Sequence, residues 1–321
     1  MLRKTVYRRP TIWGSAFLCA LVLLCLHIGA YADEAADWAA RAAIFAYDAT
    51  QPLQAKEDPA KDDGQFTAQV VHFASANGET VPAMVCKPKA GAKPPVVLLL
   101  HGLGGDKSNV EMLARMLCLQ GLAVVGIDAQ YHGERQKPGV EILSPDLART
   151  RQAFIQTVID NRRAVDYIRS RGDLDGSRIG LLGLSMGSIL GANVAALDPR
   201  IGSACLIVGG GRWDLIIGNS QLPAVQQLKD AGVTAEKVAA VLGDVDPVLF
   251  VGHISPRPLL MINSTKDEVI PRAATEALYE QAKAPKEIKW LEGGHIPPVM
   301  QLLPLLLGWA KGQVAGGPAV Q

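Results

Sequence analysis

Six short runs rich in apolar residues, 95–100, 122–128, 179–184, 204–208, 258–263 and 287–291, recur along this chain, and longer stretches with helical spacing lie between them. A strand of a parallel sheet is covered on both faces, so it reads as an uninterrupted apolar run rather than an alternation. The clearest helical stretch is 152–170, where Phe154, Val158, Val165 and Ile168 recur at helical spacing; others are 109–120, 187–197, 272–283 and 298–311. Strand and helix in alternation predict an α/β fold, a mostly parallel sheet with helices on both faces. Ahead of it, 67–74 and 80–86 alternate in part around Asn77-Gly78, which predicts an antiparallel hairpin. About eight strands result. A chain of 321 residues that is 49% hydrophobic can close one large core, here assigned to a single domain over 67–311.

The flanking segments differ in composition. Arg3, Lys4, Arg8 and Arg9 precede an apolar stretch over 12–28 that ends in Ala30-Tyr31-Ala32, the layout of a secretory signal peptide over 1–32 cleaved before Asp33. The expectation is export to the periplasm or the extracellular space. The alternative is an uncleaved membrane anchor, since 11–32 is long enough to span a bilayer. Loss of the four basic residues takes the net charge from +1 to −3, which leaves no basic surplus to recruit nucleic acid. No stable membrane insertion is expected after cleavage, and oligomeric state is not readable. Residues 33–66 read as an N-terminal arm with a helix near 38–47, and the Gly/Ala-rich 312–321 as a flexible, fraying tail. Over 212–246 two amphipathic stretches, near 222–230 and 234–242, follow one another without a strand. They read either as a small lid over the C-terminal sheet edge or as a long crossover. Cys86, Cys118 and Cys205 remain in the mature chain, with no CxxC or adjacent histidine, and are read as buried apolar residues.

The chemistry centres on Gly183-Leu184-Ser185-Met186-Gly187, placed between a strand and a helix. A tight strand-to-helix turn lifts a serine hydroxyl above the sheet edge, and the glycines clear space around it. A serine hydroxyl needs a base that is itself held by a third group. On a turn of this kind the partners follow in the order acid, then histidine. Only His253 and His295 come after Ser185; His295 follows the last strand on a Gly-rich loop and is the expected base, whereas His253 precedes a strand and reads as structural. Asp267, just past strand 258–263, is the expected acid; Glu268 is its competitor, with Asp244 and Asp246 weaker. The turn His101-Gly102-Leu103-Gly104-Gly105 is expected to supply an oxyanion hole through the N–H of Leu103, with that of Met186 as second donor. His101 reads as a brace for this loop, and the turn 128–133 as structural or substrate-lining.

These motifs, HGLGG at 101–105, DAQYHG at 128–133, GLSMG at 183–187, PLLMINSTKDEVIP at 258–271 and GGH at 293–295, make the chain resemble the α/β-hydrolase superfamily. Within it, the chain is similar to serine esterases of the dienelactone hydrolase and acetyl xylan esterase groups. The resemblance covers nearly all of 67–311. It implies cleavage of carboxylic esters of small molecules through an acyl-enzyme, with no metal or organic cofactor. Dienelactone hydrolase itself carries cysteine where this chain has Ser185. Acyl transfer and small-peptide cleavage are alternatives on the same triad, and a non-catalytic hydrolase-fold binding protein is the alternative of another class.

Overall fold

The computed structural model describes residues 34–89, 91 and 93–320, so the expected signal peptide lies outside the described residues. The chain divides into two units, 1–44 and 45–321. In the first, residues 34–43 are helical, and Arg41 Nε donates to Asp37 Oδ2 at 2.9 Å one turn back.

The second unit carries a ten-stranded sheet. Its strands are β1 (Lys56–Glu57), β2 (Lys61–Asp62), β3 (Phe66–Ala74), β4 (Thr80–Pro88), β5 (Pro95–Leu100), β6 (Ala123–Ile127), β7 (Asp175–Leu184), β8 (Ile201–Ile207), β9 (Leu259–Ser264) and β10 (Lys286–Leu291). The spatial order is β1-β3-β4-β6-β5-β7-β8-β9-β10, with β2 also on β3. β3 pairs antiparallel with β4 and β4 with β6; from β6 to β10 every pairing is parallel. The eight expected strands are all present. The two additional ones are exposed two-residue pieces of the expected arm, too short and too charged to show a pattern.

This order sets where the loops meet. The chain leaves β5, crosses to β6 on one side, and returns past β5 to β7 on the other, so the winding direction reverses between β5 and β7. Loops leaving the carboxyl ends of those two strands diverge and open a crevice, which is where open α/β sheets bind ligands.

Helices α1 (Asn109–Leu117), α2 (Leu147–Ser170), α3 (Met186–Leu197), α4 (Trp213–Asn219), α5 (Pro223–Asp230), α6 (Ala235–Leu242) and α7 (Arg272–Gln281) lie in the connections between strands, and α8 (Val299–Trp309) follows the last one. On one face, Val110, Ala114 and Leu117 of α1 and Leu306 and Trp309 of α8 share a core with Val97, Val124, Leu182 and Cys205. On the other, α3 lies so close that a methyl group on Gly191 would come within 2.9 Å of Leu181 Cδ2. α2 begins at Leu147, five residues before its clear periodicity, because Asp146 caps it by accepting from the N–H of Arg149 at 3.1 Å.

The C-terminal residues make specific contacts with β7. Residues Ala310–Ala315 continue α8 as a π-helix, and Val314 is buried over Gly180 of β7, where a side chain would overlap its Cγ2. Further on, Val320 N–H donates to Ser177 O at 2.7 Å. The tail is held because a glycine in β7 leaves a socket for one valine.

Candidate active site

Ser185 stands between β7 and α3 with φ 53° and ψ −116°, a conformation that L residues rarely adopt. Its neighbours explain how the turn closes. A methyl group on Gly183 would stand 2.5 Å from Gly187 O and 2.7 Å from Ser188 Cα, and one on Gly187 would overlap Leu100 O at the end of β5. The turn is pinned to β8: Ser185 N–H donates to Ile207 O at 2.9 Å, and the buried Ser188 hydroxyl reaches Ile207 O at 2.7 Å and Gly183 O at 2.8 Å. Strain of this kind persists only where surrounding contacts over-determine the backbone.

The structure brings Ser185, His295 and Asp267 together. His295 Nε2 lies 2.9 Å from Ser185 Oγ, and its Nδ1 lies 2.9 and 3.0 Å from the two carboxylate oxygens of Asp267. Asp267 Oδ1 also accepts from the N–H of Val269 and Ile270 at 2.9 and 2.8 Å. The carboxylate is therefore held by its own loop and is almost fully buried, at 4% side-chain exposure. With Nδ1–H directed at a carboxylate, Nε2 is left as the acceptor for the serine proton.

Glu268 contributes differently from its neighbour. Its Oε2 accepts from the backbone N–H of His295 at 3.2 Å, and its backbone O accepts from Gln221 N–H at 2.9 Å. It ties down the loop that carries the imidazole and, through Gln221, the insertion. Asp246 caps α4 instead, accepting from Arg212 and Trp213 N–H at 2.9 and 2.7 Å, and Asp244 forms a surface pair with Arg151. Burial pushes the Asp246 carboxyl above its ordinary range.

Gly102, which precedes Leu103, and Met186 both neighbour the nucleophile. A methyl group on Gly102 would lie 3.5 Å from Ser185 Cβ, which sets the 101–105 turn against the serine. Met186 is the first residue of α3, where a backbone N–H has no intrahelical acceptor. Two imidazoles hold the turn. His101 Nδ1 pairs with Gly102 O at 2.8 Å while its Nε2 accepts from Ala129 N–H at 3.1 Å; His132 Nδ1 pairs with Gln130 O at 2.9 Å while its Nε2 accepts from Gly104 N–H at 3.2 Å. Burial lowers the His101 pKa below the usual imidazole value, and the neutral ring is the form that can both donate and accept. The turn 128–133 is thus structural where its contacts are seen. The fully buried Asp128 accepts from Lys107 and Glu134 N–H at 2.8 and 2.9 Å and pairs with Lys107 Nζ at 3.0 Å. The bracing role of His132 was not assigned from the sequence; its only signal was a histidine on the loop beside the Gly-rich turn.

The segment 212–246 forms α4, α5 and α6. α5 and α6 fall where expected; α4 was not expected, although Trp213, Ile216 and Ile217 sit at helical spacing and are all buried. Trp213 stacks on Phe154 of α2 with ring centroids 4.7 Å apart, so this segment is seated on the body of the unit.

A parallel sheet reversing between β5 and β7, with a strained serine at the end of β7 and a histidine after the last strand, is the α/β-hydrolase fold. Comparison with known proteins finds likenesses to hydrolases and esterases. A model of the serine aminopeptidase S33 family, Hydrolase_4, matches residues 91–215, a span that includes Ser185 but neither Asp267 nor His295. YitV of Bacillus subtilis (strain 168) is 28% identical over 195 residues, 59% of this chain and 75% of that protein. Esterase YjfP of Escherichia coli (strain K12) is 23% identical over 181 residues, 55% of this chain and 70% of that one. Among solved structures, the acetyl xylan esterase from Paenibacillus sp. R4 superposes with a TM-score of 0.68 at 22% identity, covering 84% of this chain and 91% of that one.

Proposed function

We propose that this chain is a carboxylic ester hydrolase that works through an acyl-enzyme on Ser185. The observation that carries this reading is the unbroken hydrogen-bond chain from Ser185 Oγ through both nitrogens of His295 to Asp267. His295 Nε2 takes the serine proton as Oγ attacks the ester carbonyl, and Asp267 stabilises the imidazolium that forms. The N–H groups of Leu103 and Met186 receive the developing oxyanion. The intermediate collapses with proton return to the leaving alcohol, and water then releases the acid by the same steps in reverse. The likeness to Esterase YjfP and to an acetyl xylan esterase supports an ester as the substrate, and the match to the serine aminopeptidase model keeps peptide cleavage as the second reading on the same triad. Export is part of the proposal: the mature chain begins at Asp33, and N-terminal sequencing of protein recovered outside the cytoplasm tests it.

The catalytic test is direct. A fluorophosphonate probe should attach to Ser185, located by peptide mass spectrometry, and the protein should hydrolyse p-nitrophenyl acetate. Ser185→Ala should abolish labelling and lower turnover by a factor on the order of 10⁶. A variant that turned over at the parental rate would refute the assignment, and absence of both labelling and hydrolysis in the parent would point to a binding protein.

A further inference from the structure

Among the described residues, six large apolar side chains are exposed, five of them by more than 60% and Leu184 by 36%, and four of the six stand within five residues of the proposed triad. Leu184 precedes Ser185, and Ile296, Val299 and Met300 follow His295. Ile296 and Met300 are each 84% exposed and Val299 is 63% exposed. Contiguous apolar surface on a soluble protein marks a place where something binds. The four residues border the site along the chain, Leu184 immediately before Ser185 and Ile296 immediately after His295, whose side chains meet at 2.9 Å.

The direction of proton return says which part of a substrate would meet it. When the tetrahedral intermediate collapses, the bond between the carbonyl carbon and the alcohol oxygen breaks. The acyl group stays on Ser185 Oγ, and the proton on His295 Nε2 passes to the departing oxygen. That oxygen must therefore lie within hydrogen-bond reach of Nε2, while the carbonyl oxygen faces the N–H groups of Leu103 and Met186. The alcohol leaves on the histidine side, past the segment that follows His295. Ile296-Pro297-Pro298-Val299-Met300 offers no hydrogen-bonding side chain, and its two prolines lack an N–H. The segment is also fixed in place, with Pro297 buried and Pro298 set against Gly293. Within the segment itself a sugar hydroxyl would find no side-chain partner, the neighbouring Glu268 carboxylate already accepting from the His295 amide, whereas an alkyl or aryl group would shield Ile296 and Met300 from water.

We propose that the natural substrates are esters of apolar alcohols, and that Ile296, Val299 and Met300 select them by covering the alcohol moiety. This rests on the catalytic reading above and narrows it. The test is kcat/KM for acetate esters from methyl to octyl, with an acetylated xyloside beside them, measured by pH-stat. Partial burial of the chain should raise kcat/KM about twofold per methylene, roughly half the effect, in free energy, of complete burial. The double variant Ile296→Ser, Met300→Ser, at two exposed positions, should cut the octyl-to-methyl ratio by about tenfold. The ratio of ethyl hexanoate to ethyl acetate, which varies the acyl side, should change far less. Met112→Ser, an exposed apolar position in α1, should leave the octyl-to-methyl ratio alone.

A flat series in the parent, an unchanged ratio in the double variant, or faster cleavage of the acetylated xyloside than of octyl acetate would overturn the proposal. So would a double variant that turned from dimer to monomer in sedimentation with its ratio intact, which would make the patch an interface between copies. Methyl acetate hydrolysis surviving in Ser185→Ala would instead defeat the catalytic reading.

Discussion

Two adjacent acids, Asp267 and Glu268, both touch His295, and they do so in ways that mutation can separate. Asp267 meets the ring nitrogen and Glu268 meets the backbone amide. Asp267→Asn puts an amide where the imidazole N–H needs an acceptor and should lower kcat by up to ~10⁴ with the fold retained. Glu268→Gln keeps an acceptor oxygen for the His295 amide and should cost far less. Steady-state kinetics on the two variants checks this, and the reverse ranking would reassign the acid. The sequence carried the distinction only partly. Position after a strand selected the pair, but which carboxylate turns toward the ring depends on the N–H groups of Val269 and Ile270 that hold Asp267, and nothing in the residue types announces those.

At the level of elements, the buried strands were the most legible part of the chain, because a strand covered on both faces has no choice but to be apolar throughout. The hairpin was legible through Asn77-Gly78; Asn77 indeed takes a positive φ of 60°. What could not be read were features made by contact between distant residues. The C-terminal tail looks like loose Gly/Ala sequence, and it is anchored by one valine opposite a glycine some 130 residues earlier and by hydrogen bonds to Ser177 and Arg178. Val314→Ala should therefore destabilise the protein by about 1–3 kcal/mol, as for other buried large-to-small changes. Urea unfolding measures it. An unchanged midpoint would mean that the Val314 side chain contributes nothing to stability. The helix α4 was missed for a related reason: seven residues give too few turns for a period, and its burial comes from packing against α6 and α7 and from the stack of Trp213 on Phe154.

For the whole molecule, the sheet's reversal between β5 and β7 explains why residues from three loops meet at one edge, and its thick core explains how a strained backbone can be carried there. Cys86, Cys118 and Cys205 are buried and unpaired, and burial pushes the Cys118 thiol up to about 12. No disulfide among them braces the site, so hydrogen bonds and packing hold it. The positive φ of Ser185 then has a consequence that is thermodynamic rather than catalytic. Ser185→Ala and Ser185→Gly both remove the hydroxyl, but only glycine relaxes at φ 53°. The glycine variant should be the more thermostable of the two by about 1 kcal/mol, or roughly 2–4 °C in Tm. Calorimetry that ranked the alanine variant higher would show the elbow to be unstrained. If the glycine variant also exceeds the parent, then the fold is at its most stable without its nucleophile. Selection for heat resistance alone would erode the serine, and screens for hardier variants of this protein would have to be scored on turnover.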